Sequence, residues 1–131
     1  MPLEAQAFHT LNDPELGTRI EALYESSPEF SSGAHALSFF KSALAKGDTL
    51  YLGMFNDKPV CAVAARGQGV EKTIQFIVVH PANRGRGLAQ ELIRQVCDTE
   101  QSYGVQRFVA GCGAIHRILH FIGRIDAGTD Q

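Results

Sequence analysis

In Val79-His80-Pro81-Ala82-Asn83-Arg84-Gly85-Arg86-Gly87-Leu88-Ala89 two periodicities meet, one of a strand and one of a helix. Before it, Thr73-Ile74-Gln75-Phe76-Ile77-Val78-Val79 is a nearly continuous apolar run, suited to a strand covered on both faces. After it, Leu88, Ala89, Leu92, Ile93, Val96 and Cys97 recur at helical spacing as far as about Tyr103, and Gly104 ends the pattern. His80-Pro81 stops the strand. The joint itself carries two glycines and two arginines. Gly85 and Gly87 let the backbone turn tightly and bring bare N–H groups close to a ligand. The first N–H groups of the following helix have no intrahelical acceptor, and they lie at the positive end of its dipole. Arg84 and Arg86 add full charges, and no acidic residue lies between Val78 and Gln90. Strand, bend and helix together form an anion cradle fitted to phosphate or pyrophosphate.

Two familiar phosphate loops are excluded. A P-loop needs Gly-x-x-x-x-Gly-Lys-Ser/Thr, and this segment has neither the lysine nor the hydroxyl that would hold magnesium. A dinucleotide loop needs a third glycine, whereas Gly85-Arg86-Gly87-Leu88-Ala89-Gln90 ends in glutamine.

Outward from this segment, Val105 to Ala110 reads as another strand and Ala114 to Ile122 as a short last helix. Upstream, Thr49–Phe55 and Val60–Ala65 are rich in strand formers, with a tight reversal at Asn56-Asp57-Lys58. Asp13-Pro14 is an N-cap followed by proline at the first helical position, and Leu16, Ile20, Leu23 and Tyr24 form the apolar stripe behind it. A second helix is expected from about Ala34 to Lys46, with Gly47 as its left-handed cap. The predicted order is α-α-β-β-β-α-β-α, a mixed sheet with helices on its faces.

The 131 residues fit a single domain spanning 1–131. Twelve Lys+Arg against 14 Asp+Glu give a net charge of −2, without the globally basic footprint of a nucleic-acid binder. No window approaches the roughly 20 apolar residues that span a bilayer, and the first residues do not read as a secretory signal. Cys61, Cys97 and Cys112 are widely spaced, with no metal-ligand pattern, so reduced thiols in a cytoplasmic protein are expected.

Arg84-Gly85-Arg86-Gly87-Leu88-Ala89 has the form Arg/Gln-x-x-Gly-x-Gly/Ala, follows a strand ending Val79-His80-Pro81 and opens an amphipathic helix. In this it resembles motif A of the Gcn5-related N-acetyltransferase (GNAT) superfamily. The resemblance covers about Leu50 to Ile125 in element order and is specific at Ile74 to Leu92. It implies an α/β mixed sheet of the GNAT kind, with strands Ile74–Val79 and Val105–Ala110 parallel. It also implies that Asn83, Arg84, Gly85, Arg86, Gly87, Leu88, Ala89 and Gln90 wrap the pyrophosphate of acetyl-CoA. The strand Ile77-Val78-Val79 would splay from its neighbour so that pantetheine pairs with it, and an amide of Val78 or Val79 would polarise the thioester. The implied activity is acyl transfer from coenzyme A to a small-molecule or protein amine.

The chain also departs from that family. Many members carry a glutamate on the strand before the loop, where only Gln75 is polar here, and a tyrosine acid where alignment on Gly123 puts Leu119. His80, His116 and His120 lie nearby in sequence, yet no spacing singles one out, so the catalytic acid and base stay unassigned. Cys112 is expected to be a small buried residue, and Phe39, Phe40, Phe55 and Phe76 to be core. Relatives continue with two strands that wall the acceptor site, whereas six residues follow Ile125 here. The acyl-CoA half is therefore expected to be kept and part of the acceptor half lost, unless a second subunit supplies it, as in a homodimer. The hairpin Tyr51 to Val63 and the helices before it also resemble the PanZ-like subfamily. Its members bind acetyl-CoA and promote maturation of aspartate 1-decarboxylase without catalysing transfer.

Overall fold

The computed structural model describes residues 2–125. Five strands and four helices follow one another: β1 (Glu4–Phe8), α1 (Pro14–Tyr24), α2 (Gly33–Ala45), β2 (Thr49–Phe55), β3 (Lys58–Arg66), β4 (Glu71–Val79), α3 (Leu88–Ser102), β5 (Arg107–Ala110) and α4 (Gly113–Phe121). The sheet order is β1-β2-β3-β4-β5, antiparallel until the last pair, where β4 and β5 run parallel across the α3 crossover. This is the α/β mixed sheet expected from the sequence, with one added strand. β1 was missed because Glu4-Ala5-Gln6-Ala7 has little strand propensity of its own. Pairing holds it in place: Glu4 to Phe8 register against Met54 to Leu50, and the Gln95 amide of α3 bonds both Ala5 N and Leu3 O at 2.8 Å.

Alternation along the strands divides the core in two. Tyr51, Cys61, Val63, Ala65 and Ile74 face α3 and α4, packing on Leu92, Ile93, Val96, Ile115 and Leu119. Leu50, Leu52, Ala62, Ala64 and Val78 face the other way, onto Ile20, Leu23, Tyr24, Phe40 and Leu44 of α1 and α2. The caps read from the sequence are in place: Asp13 accepts from Glu15 N, and Gly47 has φ +105°.

Three expectations need correction. β4 is not covered on both faces, since only Ile74 and Val78 of its nine residues are buried and its second half lacks a neighbour on the β5 side. Cys112 is exposed rather than buried, because it is the extended N-cap residue of α4 at an uncovered corner after β5. Of the four phenylalanines expected in the core, Phe40 is fully buried, while Phe39, Phe55 and Phe76 are half-buried and pack against its margin. The expectation about the chain after Ile125 falls on residues outside those described.

Candidate functional site

β4 and β5 pair only from Glu71–Arg107 to Ile74–Ala110. Gly111 N then donates to Ile74 O at 2.8 Å, and the chain leaves the sheet for α4. Only glycine fits at that corner, because a Cβ on Gly111 would lie 2.7 Å from Gln75 Cγ and 3.0 Å from Ile74 O. Past it, β4 runs on from Gln75 to Val79 with β3 on one side and no strand on the other, and the sheet forks.

The free arm of the fork is also bent. Ala62 faces Val78 and Ala64 faces Gln75, so Phe76 and Ile77 together oppose the single Val63, which is a β-bulge. Phe76 takes φ +62°, a strained value for a bulky residue. Tyr24 holds it there, its hydroxyl donating to Phe76 O at 2.6 Å. Beyond the bulge, His80 N donates to Val60 O at 2.8 Å. By the alternation of an antiparallel ladder, Val78 then also lies in a hydrogen-bonded pair with β3, and the amides of Ile77 and Val79 face the fork.

At the tip of this arm a single helical turn, Pro81–Asn83, is capped by His80, whose Nδ1 accepts from Ala82 N at 3.1 Å. Gly85 and Gly87 follow with φ +79° and +73°, left-handed values that a side chain would strain. A Cβ at either would meet nothing within 4 Å, so the bend opens onto free space. Gly87 is the N-cap of α3 and offers no side-chain acceptor, which leaves the first amides of the helix, at Leu88, Ala89 and Gln90, without a cap. Leu88 is buried as the anchor, Ala89 and Asn83 are half-buried, and Arg84, Arg86 and Gln90 are exposed. Arg84 turns back: Nε donates to Val79 O at 3.1 Å and Nη2 to Ser26 Oγ at 3.3 Å, bracing the bend against β4 and the end of α1. The groove so formed, of about 270 Å³, is lined by Ser26, Ser27, Pro28, Ile77, Val78, Val79, Arg84 and Ala89. Of the eleven residues expected at the site, Ile77, Val78, Val79, Arg84 and Ala89 line this groove, and Asn83, Gly85 to Leu88 and Gln90 lie along the bend and the first turn of α3 beside it.

The other candidates are dispersed. Leu119 is fully buried among core residues, His120 is exposed on the last turn of α4, and His116 is half-buried on the same helix. Sequence reasoning missed a cluster beside the bulge. Arg66 bonds Asp48 Oδ2 at 2.9 Å and Gln75 Oε1 at 3.2 Å, and lies over the rings of Phe39 and Phe76 at 5.0 and 5.7 Å. Its partners are remote in sequence, so no local spacing signals it. Among the described residues no group of His, Cys, Asp or Glu is placed to hold a metal, and no helix is long and apolar enough to cross a membrane.

A strand that forks from its parallel neighbour and ends in a glycine bend at a helix N-terminus matches a known pattern. Residues 15–118 match the acetyltransferase (GNAT) family. The chain belongs to that family. Transfer of an acetyl group from acetyl-CoA to an amine is the activity of GNAT acetyltransferases as a family. Among solved structures, this GNAT chain is similar to a ribosomal-protein-alanine N-acetyltransferase from Brucella melitensis biovar Abortus 2308, at 14% identity and TM-score 0.72, covering 99% of this chain and 94% of that one. A Trypanosoma brucei acetyltransferase matches at 20% identity and TM-score 0.67, covering 99% and 96%. An aminoglycoside 6′-N-acetyltransferase complexed with coenzyme A matches at 17% identity and TM-score 0.66, covering 82% of this chain and 60% of that one. At these identities the likeness is one of fold. No curated protein matches the chain.

Proposed function

We propose that the chain is an acetyl-CoA-dependent N-acetyltransferase that holds the cofactor along the open edge just described. The observation that carries this reading is the bend itself. Two arginines, two left-handed glycines and an uncapped helix N-terminus follow one another in a stretch that holds no carboxylate from Val79 to Gln90. Asn83, Arg84, Gly85, Arg86, Gly87, Leu88, Ala89 and Gln90 would then hold the pyrophosphate, largely through main-chain donors. Ile77, Val78 and Val79 would line the pantetheine, with the fork-facing amides of Ile77 and Val79 left to pair with it. Val79 O already accepts from Arg84, so its N–H is the group that remains. An N–H aimed at the thioester oxygen stabilises the charge that develops there as the amine attacks. The reading includes a single domain, a cytoplasmic location and a small-molecule or protein amine as acceptor.

The described residues place no carboxylate on the free arm of β4, and Leu119 stands buried where relatives carry a tyrosine acid. Water therefore carries the proton from the amine. The same observation favours a second reading, in which acetyl-CoA binds without turnover and its occupancy is sensed by a partner, as in the PanZ-like regulators of aspartate 1-decarboxylase.

Incubation with acetyl-CoA and a broad panel of amines separates the two. Release of CoA thiol above blank hydrolysis establishes the transferase. Tight acetyl-CoA binding with no release from any amine, together with co-purification of a decarboxylase, establishes the regulator. No binding at all overturns both.

A further inference from the structure

We propose that Gln75 donates a hydrogen bond from its side-chain amide to the acyl carbonyl oxygen, beside the main-chain N–H of Ile77, the nearer of the two fork-facing amides. This rests on the acyl-CoA reading above. Gln75 is the first residue of β4 past its last pairing with β5, and its Cγ packs against Gly111, so it stands in the crotch of the fork. Its amide has one possible sense there. Arg66 Nη1 donates to Gln75 Oε1 at 3.2 Å, and a guanidinium carries only donors, so the oxygen must face Arg66 and the NH₂ must face away. Arg66 is itself fixed, gripped through Nε by Asp48, whose side chain is only 13% exposed, and stacked on Phe39 and Phe76. Among the described residues the Gln75 NH₂ has no hydrogen-bond partner, and no side-chain nitrogen or oxygen is buried without one. That NH₂ is therefore an oriented, accessible and unused donor at the start of the free arm.

The chemistry explains a neutral group at this place. As the amine lone pair adds to the thioester carbonyl carbon, the carbonyl π pair moves onto oxygen. Collapse of the adduct breaks the C–S bond, and the CoA thiolate receives through water the proton lost by the amine. Gln75 cannot take the proton of the amine as a carboxylate could, and its amide N–H is left free to stabilise the negative oxygen. Arg66 and Asp48 are then positioning residues, which hold the amide in its donating sense without touching substrate.

The test is the infrared band of the acetyl carbonyl, carbon-labelled and bound to the protein. In the wild type it should lie at lower frequency than in water, and in Gln75→Met and Gln75→Glu it should return toward the solution value at unchanged affinity. Asp48→Asn, which loosens Arg66, should give an intermediate band. In the unaltered chain the side-chain amide proton resonance of Gln75 should move on adding acetyl-CoA and stay in place with CoA, which lacks the acyl oxygen. Where an amine acceptor turns over, Gln75→Met should lower kcat on the order of 10²-fold with KM for acetyl-CoA unchanged. An identical carbonyl band in wild type and variants, or an amide resonance indifferent to the acetyl group, overturns the proposal and leaves the cofactor reading standing. Failure of the wild type to bind acetyl-CoA overturns the cofactor reading itself.

Discussion

The two halves of β4 are built for different work. Glu71 to Ile74 pair with β3 or β5 or both, and their ends are tied down by charge. Lys72 Nζ lies 2.8 Å from one carboxylate oxygen of buried Glu100, Tyr51 hydroxyl donates to the other at 2.5 Å, and Arg107 meets Glu71 at 3.0 Å. Gln75 to Val79 keep β3 alone, break register at a bulge, and leave main-chain groups facing open space. One strand thus anchors the sheet at its start and offers an edge to a ligand at its end. The helix that follows serves both, since α3 begins at the bend with Leu88 and brings Glu100 to the anchored half near its other end.

That contrast can be broken in measurable ways. The largest effect is expected from Arg84→Ala with Arg86→Ala, which should weaken acetyl-CoA binding by about 1.5–3 kcal/mol for each arginine–phosphate pair removed. Calorimetric titration reads it, and urea stability should fall by only about 1–2 kcal/mol, the worth of the two exposed hydrogen bonds by which Arg84 braces the bend. Lys72→Met should do the reverse. It leaves Glu100 buried without its counter-charge, at a cost of about 3–5 kcal/mol in urea unfolding, with acetyl-CoA affinity preserved in the folded fraction. If affinity falls with stability, the halves are not separable as described. Gly111→Ala strikes the boundary between them. The new Cβ must displace Gln75 or the Ile74 carbonyl, at about 1–3 kcal/mol, and amide exchange should quicken at the last β4–β5 pairs first. Tyr24→Phe frees Phe76 O at about 0.5–1.5 kcal/mol.

The thiols sharpen the comparison at the smallest scale. Burial pushes Cys61 and Cys97 from 9.0 up to about 12, while Cys112 is exposed beside the fork. A thiol reagent should modify Cys112 in the native protein and the other two only on unfolding. The folded state keeps protons on Cys61 and Cys97 that the unfolded chain gives up near pH 9. Their contribution to stability is therefore intact below that pH and is lost as pH rises from 9 through 12, which a pH series of unfolding curves reads.

What the sequence disclosed follows the same division. The bend was legible because its information is local: glycines, arginines and a change of period within eleven residues. The helices and the hairpin were legible for the same reason, through Asp13-Pro14, Gly47 and Asn56. β1 was not, because alanine and glutamine become a strand only when β2 and Gln95 pair with them. The fork was expected through resemblance, but its cause, the packing of Gly111 on Gln75, spans 36 positions and has no local signature. Gln75 read as a missing glutamate. Only folding, which brings Asp48 and Arg66 to it, shows an amide with a fixed sense.

A crystal soaked with coenzyme A shows where the diphosphate sits. The expected density places the diphosphate on the amides of Gly85 to Gln90, with pantetheine along Ile77 to Val79 and nothing bound at Glu71 to Ile74. A nucleotide bound elsewhere, with the bend empty at saturating coenzyme A, would contradict the account.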